Sequence, residues 1–136
     1  MRIIVVAVGR LRSPFVDDIA HYAKLLSRYA RLELIEVRED AHVAGRIPAR
    51  AFVSLLDVAG QAPDSVAFSE FLEQRRASGR DLCFVIGGPF GGLRLERVDH
   101  RLSLGAITLP HQLARVVLLE QLYRGHKILA GEPYHH

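Results

Sequence analysis

Apolar and polar positions along this chain alternate between two periods. Arg2–Val8 is apolar after its first residue, largely β-branched, and closed by Gly9, which predicts a strand buried on both faces, as in a parallel sheet. Ser13-Pro14 then offers an N-cap followed by proline at the first helical position. Phe15, Ile19, Tyr22, Leu25, Leu26 and Tyr29 recur at helical spacing and predict one apolar stripe. Strand spacing returns over 32–37, and the polar stretch 38–50, with Gly45 and Pro48, reads as a loop. A third strand covers 51–57 and is ended by Gly60, Pro63 and Asp64. Ser65 is placed to cap a helix over 66–78, with Gly79 as its C′ residue. A fourth strand over 81–86 runs into the loop GGPFGG. A short helical piece over 93–102, a short strand over 106–109 and a long helix from Pro110 to about Leu129 complete the pattern. Gly131-Glu132-Pro133 ends that helix before the tail Tyr134-His135-His136.

Strands separated by helices predict an α/β fold, a mostly parallel sheet with flanking helices. At 136 residues, with no linker or repeat, the chain is expected to be one domain over 1–136. A chain of this length buries roughly two-thirds of its unfolded surface without needing metals or disulfides. Its 49% hydrophobic and 24% charged residues are those of a soluble globular protein. The longest apolar run, 3–8, is far short of the roughly 20 residues that cross a bilayer. Arg10 and Arg12 follow it where a secretory signal would carry a small-residue cleavage site. Cys83 is the only cysteine, so no intrachain disulfide forms and a cytoplasmic location is expected. It lies within Leu82-Cys83-Phe84-Val85-Ile86 and reads as a small core residue.

A net charge of +3 permits a nucleic-acid partner without demanding one. Of the 18 basic residues only Lys24 and Lys127 are lysine. Arginine suits phosphate because its planar fork donates paired hydrogen bonds, although such a bias also follows from codon usage. His100, His111, His126, His135 and His136 crowd the last part of the chain, but no pair has the spacing of a metal site, and none is expected.

Three places are candidates for chemistry. The first is GGPFGG, which follows a buried strand where ligands of open α/β sheets sit; its glycines let backbone amides approach a ligand. Its spacing is neither the dinucleotide fingerprint nor a P-loop, and a plain connection is the competing reading. The second is the last helix, apolar nearly all round, where Leu113, Val116, Val117 and Ile128 bracket Glu120 and Arg124. That pair reads either as an ordinary i,i+4 ion pair or as a functional one, since charge within an apolar arc is costly to desolvate. The third is the tail, where fraying is the norm but Tyr134 and His135 are also suited to stacking on a base or moving a proton.

Taken together, DLCFVIGGPFGG, LSLGAITLPHQLARVVLLEQLYRGHKI and GEPYHH closely resemble the ribosomal RNA large subunit methyltransferase H family; the opening MRIIVVAVGR resembles its first strand. The likeness covers nearly the whole chain. It implies a SPOUT-class, homodimeric enzyme with a C-terminal trefoil knot, a feature that general rules of chain topology exclude for most folds. It implies methyl transfer from S-adenosylmethionine to N3 of a pseudouridine in large-subunit ribosomal RNA, on the assembled ribosome. Carried over by position, cofactor contacts fall at Leu56, Gly87, Leu104, Gly105, Ala106, Ile107, Thr108 and Leu109. Glu120, Arg124, Tyr134 and His135 fall on positions tied to substrate binding and activity. Three departures stand out: the stretch 38–50 is shorter than the family's, which carries an extra helix there; the glycine loop is one residue longer; and His136 stands where the family commonly has Arg or Lys. The alternatives are a noncatalytic RNA-binding module of the same fold and a SPOUT methyltransferase acting on transfer RNA.

Overall fold

The computed structural model describes residues 1–135, and the His136 position lies outside them. Five strands form one sheet: β1 (Arg2–Val8), β2 (Arg31–Val37), β3 (Phe52–Gln61), β4 (Leu82–Ile86) and β5 (His100–Leu102). Their order is β2-β1-β4-β3-β5 and every pairing is parallel. β1 and β4 are central and apolar on both faces, with Ile3, Ile4, Val6, Leu82, Cys83, Phe84 and Val85 fully buried. Burial pushes the Cys83 thiol up to about 12, so it is inert core, as its apolar run predicts.

One sheet face packs on α1 (Phe15–Leu26), α2 (Ser65–Ser78) and α3 (His111–Leu129), with Phe84, Leu72, Leu118 and Leu122 at the centre of that core. The other face is covered by irregular chain. Val43, Ile47, Leu93, Leu95 and Val98 close over Ile4, Val6, Val53, Cys83 and Val85. The stretch expected as a loop between β2 and β3 contains two single turns of 3-10 helix, Asp40–His42 and Ala44–Arg46. Arg97 fastens that stretch by donating to the carbonyls of Pro48 and Ala49.

The helices begin and end for identifiable reasons. Asp64, rather than the expected Ser65, caps α2 by accepting from Ala67 N–H at 2.8 Å. Ser65 instead donates to Gln121 Oε1 at 2.6 Å and ties α2 to α3. Gly79 closes α2 with φ +74°, the left-handed C-cap predicted for it. Ser13 makes no side-chain cap for α1.

Two short elements differ from expectation. Residues 93–99 form no helix, and the short fifth strand is His100–Leu102 rather than 106–109. The cause is β3, which continues to Gln61 through an irregularity after Leu56 and offers its edge to 100–102. Phe52 and Phe71 enclose the His100 ring, and Ser54 hydrogen-bonds its Nδ1 at 2.9 Å, so tertiary pairing overrides local preference. Gly60 is required at this crossing, because a Cβ there would stand 2.5 Å from the Arg101 carbonyl oxygen. Gly60→Ala is expected to cost about 1–3 kcal/mol, read as a lower denaturant midpoint at unchanged slope.

Candidate active site

At the carboxyl ends of β3 and β4 lies a cavity of about 450 Å³, the size of a small-molecule site and the place where open parallel sheets bind ligands. Leu55 and Leu56 border it from β3, Ile86 and Gly87 from the end of β4, and His111 and Ala114 from the first turns of α3. The crossing between β5 and α3 completes it with Leu104, Gly105, Ile107, Thr108 and Leu109. Seven of the eight positions assigned to a cofactor by resemblance therefore border one cavity, whereas Ala106 is exposed on the same stretch and is not part of the lining.

Two local devices shape that crossing. Ser103 Oγ donates to Gly105 O at 2.9 Å and accepts from Gly105 N–H at 3.1 Å, holding Gly105 at φ +124°, where only glycine is comfortable. Asp57 accepts from Ala59 N–H and pairs with Arg101 at 2.9 Å. Those contacts, the backbone bond first, hold its carboxyl below the usual range and keep a negative charge at the cavity's edge. The His111 pKa is lowered, by burial first and then by the Arg115 and Arg12 charges, so its imidazole stays neutral at pH 7.

The α3 side chains that reach back to the sheet fix this geometry. Arg115 donates to Val8 O at 3.1 Å, Gly9 O at 2.7 Å and Glu36 Oε2 at 2.7 Å. Gln112 donates to Arg10 O at 2.9 Å and accepts from Arg12 N–H at 2.7 Å. The loop after β1 is thus bound to the start of α3, beside the cavity. Sequence reasoning passed over Arg115, Gln112, Asp57, Arg101 and His111. Only the position of Asp57 directly after Leu56, and of His111 directly after Pro110, marked any of them.

A second cluster joins all four residues that the resemblance ties to activity. Glu120 accepts from Arg124 Nη2 at 2.8 Å, Arg124 Nε at 3.1 Å and the Tyr134 hydroxyl at 2.9 Å. Arg124 Nη1 lies 3.0 Å from His135 Nδ1, and its guanidinium stands over the Tyr134 ring. The tail is therefore folded back on α3, with Tyr134 also edge-on to Tyr123. Burial, then the bond to Glu120, pushes the Tyr134 phenol up to about 12. Arg124 is raised as well, chiefly by its bond to Glu120.

None of these four residues borders the cavity. Ala114 does, and Glu120 lies ~9 Å further along α3 and about 240° round it. One chain brings the cofactor positions together and the activity positions together, but not the two groups to each other.

A parallel sheet with a cavity at the carboxyl ends of its strands, lined by a glycine loop and a crossing into the last helix, is the arrangement of a ligand-binding α/β protein. Residues 1–135 match the family described as "Predicted SPOUT methyltransferase", and the chain belongs to it. It is 45% identical to the Ribosomal RNA large subunit methyltransferase H of Anaeromyxobacter sp. (strain Fw109-5), with 99% of each chain covered. It is 40% identical to the protein of that name in Carboxydothermus hydrogenoformans and 37% to that in Enterococcus faecalis, again covering 99% of each chain. These alignments span up to 158 positions against 136 residues here, so the relatives carry segments that this chain lacks.

The raised phenol gives a direct check. Tyr134 is expected to stay protonated through pH 10 and to ionise near 12, visible in ultraviolet difference absorbance. Glu120→Gln removes the facing negative charge and should bring that titration down, with burial keeping it above the ordinary value of about 10.

Proposed function

We propose that this protein transfers a methyl group from S-adenosylmethionine to N3 of a pseudouridine in large-subunit ribosomal RNA, on the assembled ribosome, acting as a cytoplasmic homodimer. The observation that carries the reading is the convergence of Leu56, Gly87 and 104–109 on one cavity in a chain of the SPOUT methyltransferase family. The names of the relatives supply the substrate class. Among the described residues no group of side chains is arranged to hold a metal, and no helix is long and apolar enough to cross a membrane.

The cavity fits the cofactor in kind. Leu55, Leu56, Ile86 and Leu102 offer apolar surface for an adenine ring. The main chain of Gly87 and 104–109 offers donors and acceptors, and the Asp57 carboxylate a counter-charge for a cationic ligand. Bound there, S-adenosylmethionine supplies an electrophilic methyl group on sulfur. The protein's task is then alignment, because an in-line displacement is accelerated chiefly by holding the two partners in geometry. A uracil-type N3 carries a proton that must leave. Either His135 or Glu120 accepts it, or Arg124 stabilises the ring anion. The raised Tyr134 phenol remains a donor at working pH and keeps Glu120 oriented.

The separation of cavity and cluster supports the dimer. A second subunit placed against the outer face of α3, where Leu113, Val116, Val117 and Ile128 are only partly buried, would carry one chain's Glu120–Arg124–Tyr134–His135 group to its partner's cavity. The trefoil knot of the family belongs to the same proposal, with the crossing at 104–109 leading α3 into it.

Calorimetry with S-adenosylmethionine, mass mapping of ribosomal and transfer RNA from a deletion strain, and mass in solution test these claims. Expected are cofactor binding, loss of one pseudouridine N3-methyl group in the large-subunit RNA, and a dimer. Cofactor binding absent even with RNA present would make the chain an RNA-binding module; a lost transfer-RNA mark would change the substrate. Arg124→Ala is expected to lower kcat about a hundredfold with cofactor affinity little changed. Assembled large subunits should be methylated well and isolated RNA poorly. A pH–rate profile of unchanged shape in His135→Ala would remove His135 from the proton-accepting role.

A further inference from the structure

The glycine loop holds one residue that neither turn chemistry nor burial accounts for. Gly91 N–H donates to Gly88 O at 3.3 Å and closes a turn over Gly88-Pro89-Phe90-Gly91. Proline second and glycine fourth are what such a turn favours. Gly88 is further constrained because a Cβ there would stand 3.3 Å from Val8 Cγ1, at the end of β1. Position three asks for a small polar residue or for nothing in particular. It carries Phe90, which is 99% exposed, the most exposed large apolar side chain among the described residues.

We propose that Phe90 is a stacking platform for an unpaired base of the RNA substrate, positioning it at the mouth of the cavity. The proposal deepens the reading of this chain as an RNA methyltransferase and rests on it. Gly91 and Gly92 border the cavity, so the phenyl ring stands on the segment that forms the rim. Ile107, 80% exposed, borders the same cavity from the opposite connection and adds a second apolar surface there. Arg94, four residues on and exposed, adds positive charge to the same segment. An aromatic interleaved with arginine is the arrangement that holds single-stranded nucleic acid, the ring taking a base and the guanidinium a phosphate. The turn that carries the ring is closed by its own backbone hydrogen bond, so that loop is formed before RNA arrives. Phe90 contacts substrate in this proposal but takes no part in bond making.

The chain contains no tryptophan, so Phe90→Trp installs a single reporter. Its emission is expected to be quenched by a pyrimidine-rich single-stranded RNA oligomer and left unchanged by S-adenosylmethionine alone. Phe90→Ala should raise the KM for large subunits about tenfold, with kcat and cofactor Kd within about twofold of wild type, and Phe90→Tyr should restore the KM. A wild-type KM in Phe90→Ala would overturn the proposal. So would a reporter that answers to the cofactor and not to RNA, which would make the ring a cover for the cofactor. If the wild-type protein methylates no ribosomal RNA, the broader reading fails instead, and the RNA titration of the Trp variant still decides whether the ring stacks.

Discussion

The arrangement hangs on a guanidinium that has been taken out of water. The Arg115 side chain is 6% exposed, reaches across from α3 to the end of β1, and meets Glu36 of β2 on the way. Burying such a charge is costly unless its hydrogens are matched; two backbone carbonyls and one carboxylate serve Nη1 and Nη2, while Nε is buried without a partner among the described residues. Leu11 N–H also donates to Glu36 Oε2, at 2.6 Å, so the carboxylate fastens the β1–α1 loop as well. The consequence is geometric. With residue 115 pinned to the edge of the sheet, residues 111 and 114 fall on the cavity, and residues 120 and 124 fall a quarter-helix or more away, on the side turned from it. A single anchoring residue divides the last helix into a part that borders the cavity and a part that carries a separate polar cluster.

That division explains which features the sequence made legible. The central strands and three helices carried unmistakable periods, and they formed within a few residues of the expected bounds. Gly79 as a C-cap and Cys83 as core followed from local chemistry alone. What escaped was decided by long-range partners. Residues 100–102 are a strand because the prolonged β3 offers them an edge, and 106–109 are not because they wrap a cavity instead. Asp64 took the cap from Ser65 because Gln121, far along the chain, claimed the serine hydroxyl. No periodicity in either segment carries that information.

The candidate site shows the same limit more sharply. GGPFGG read by composition as a ligand loop or a plain connection, and of the eight positions carried over by resemblance the fold gathers seven round one cavity. Glu120 and Arg124 stood undecided between a surface ion pair and a functional one. The structure shows them partly buried and bonded to Tyr134 and His135, more than a helical pair alone requires. Arg115 was invisible because its spacing on α3 matches that of any buried side chain, and only the sheet edge it meets gives it meaning. Asp57 is held charged first by Ala59 N–H, two residues on, and then by the distant Arg101, while His111 is kept neutral first by burial, which only the folded chain reveals.

The separation of cavity and cluster also bears on why so small a protein can act on so large a substrate. One face of the sheet is roofed by three helices and the other by two irregular stretches, so among the described residues every regular element packs in the core. The surfaces left to the proposed RNA substrate are the rim of the cavity and the tail cluster. Within one chain the cluster does not border the cavity. In the proposed dimer a second copy brings the two together, packed on the partly buried apolar residues of α3 beside the cluster. In that proposed dimer, catalytic competence and dimerisation are one requirement, imposed by the pitch of a single helix.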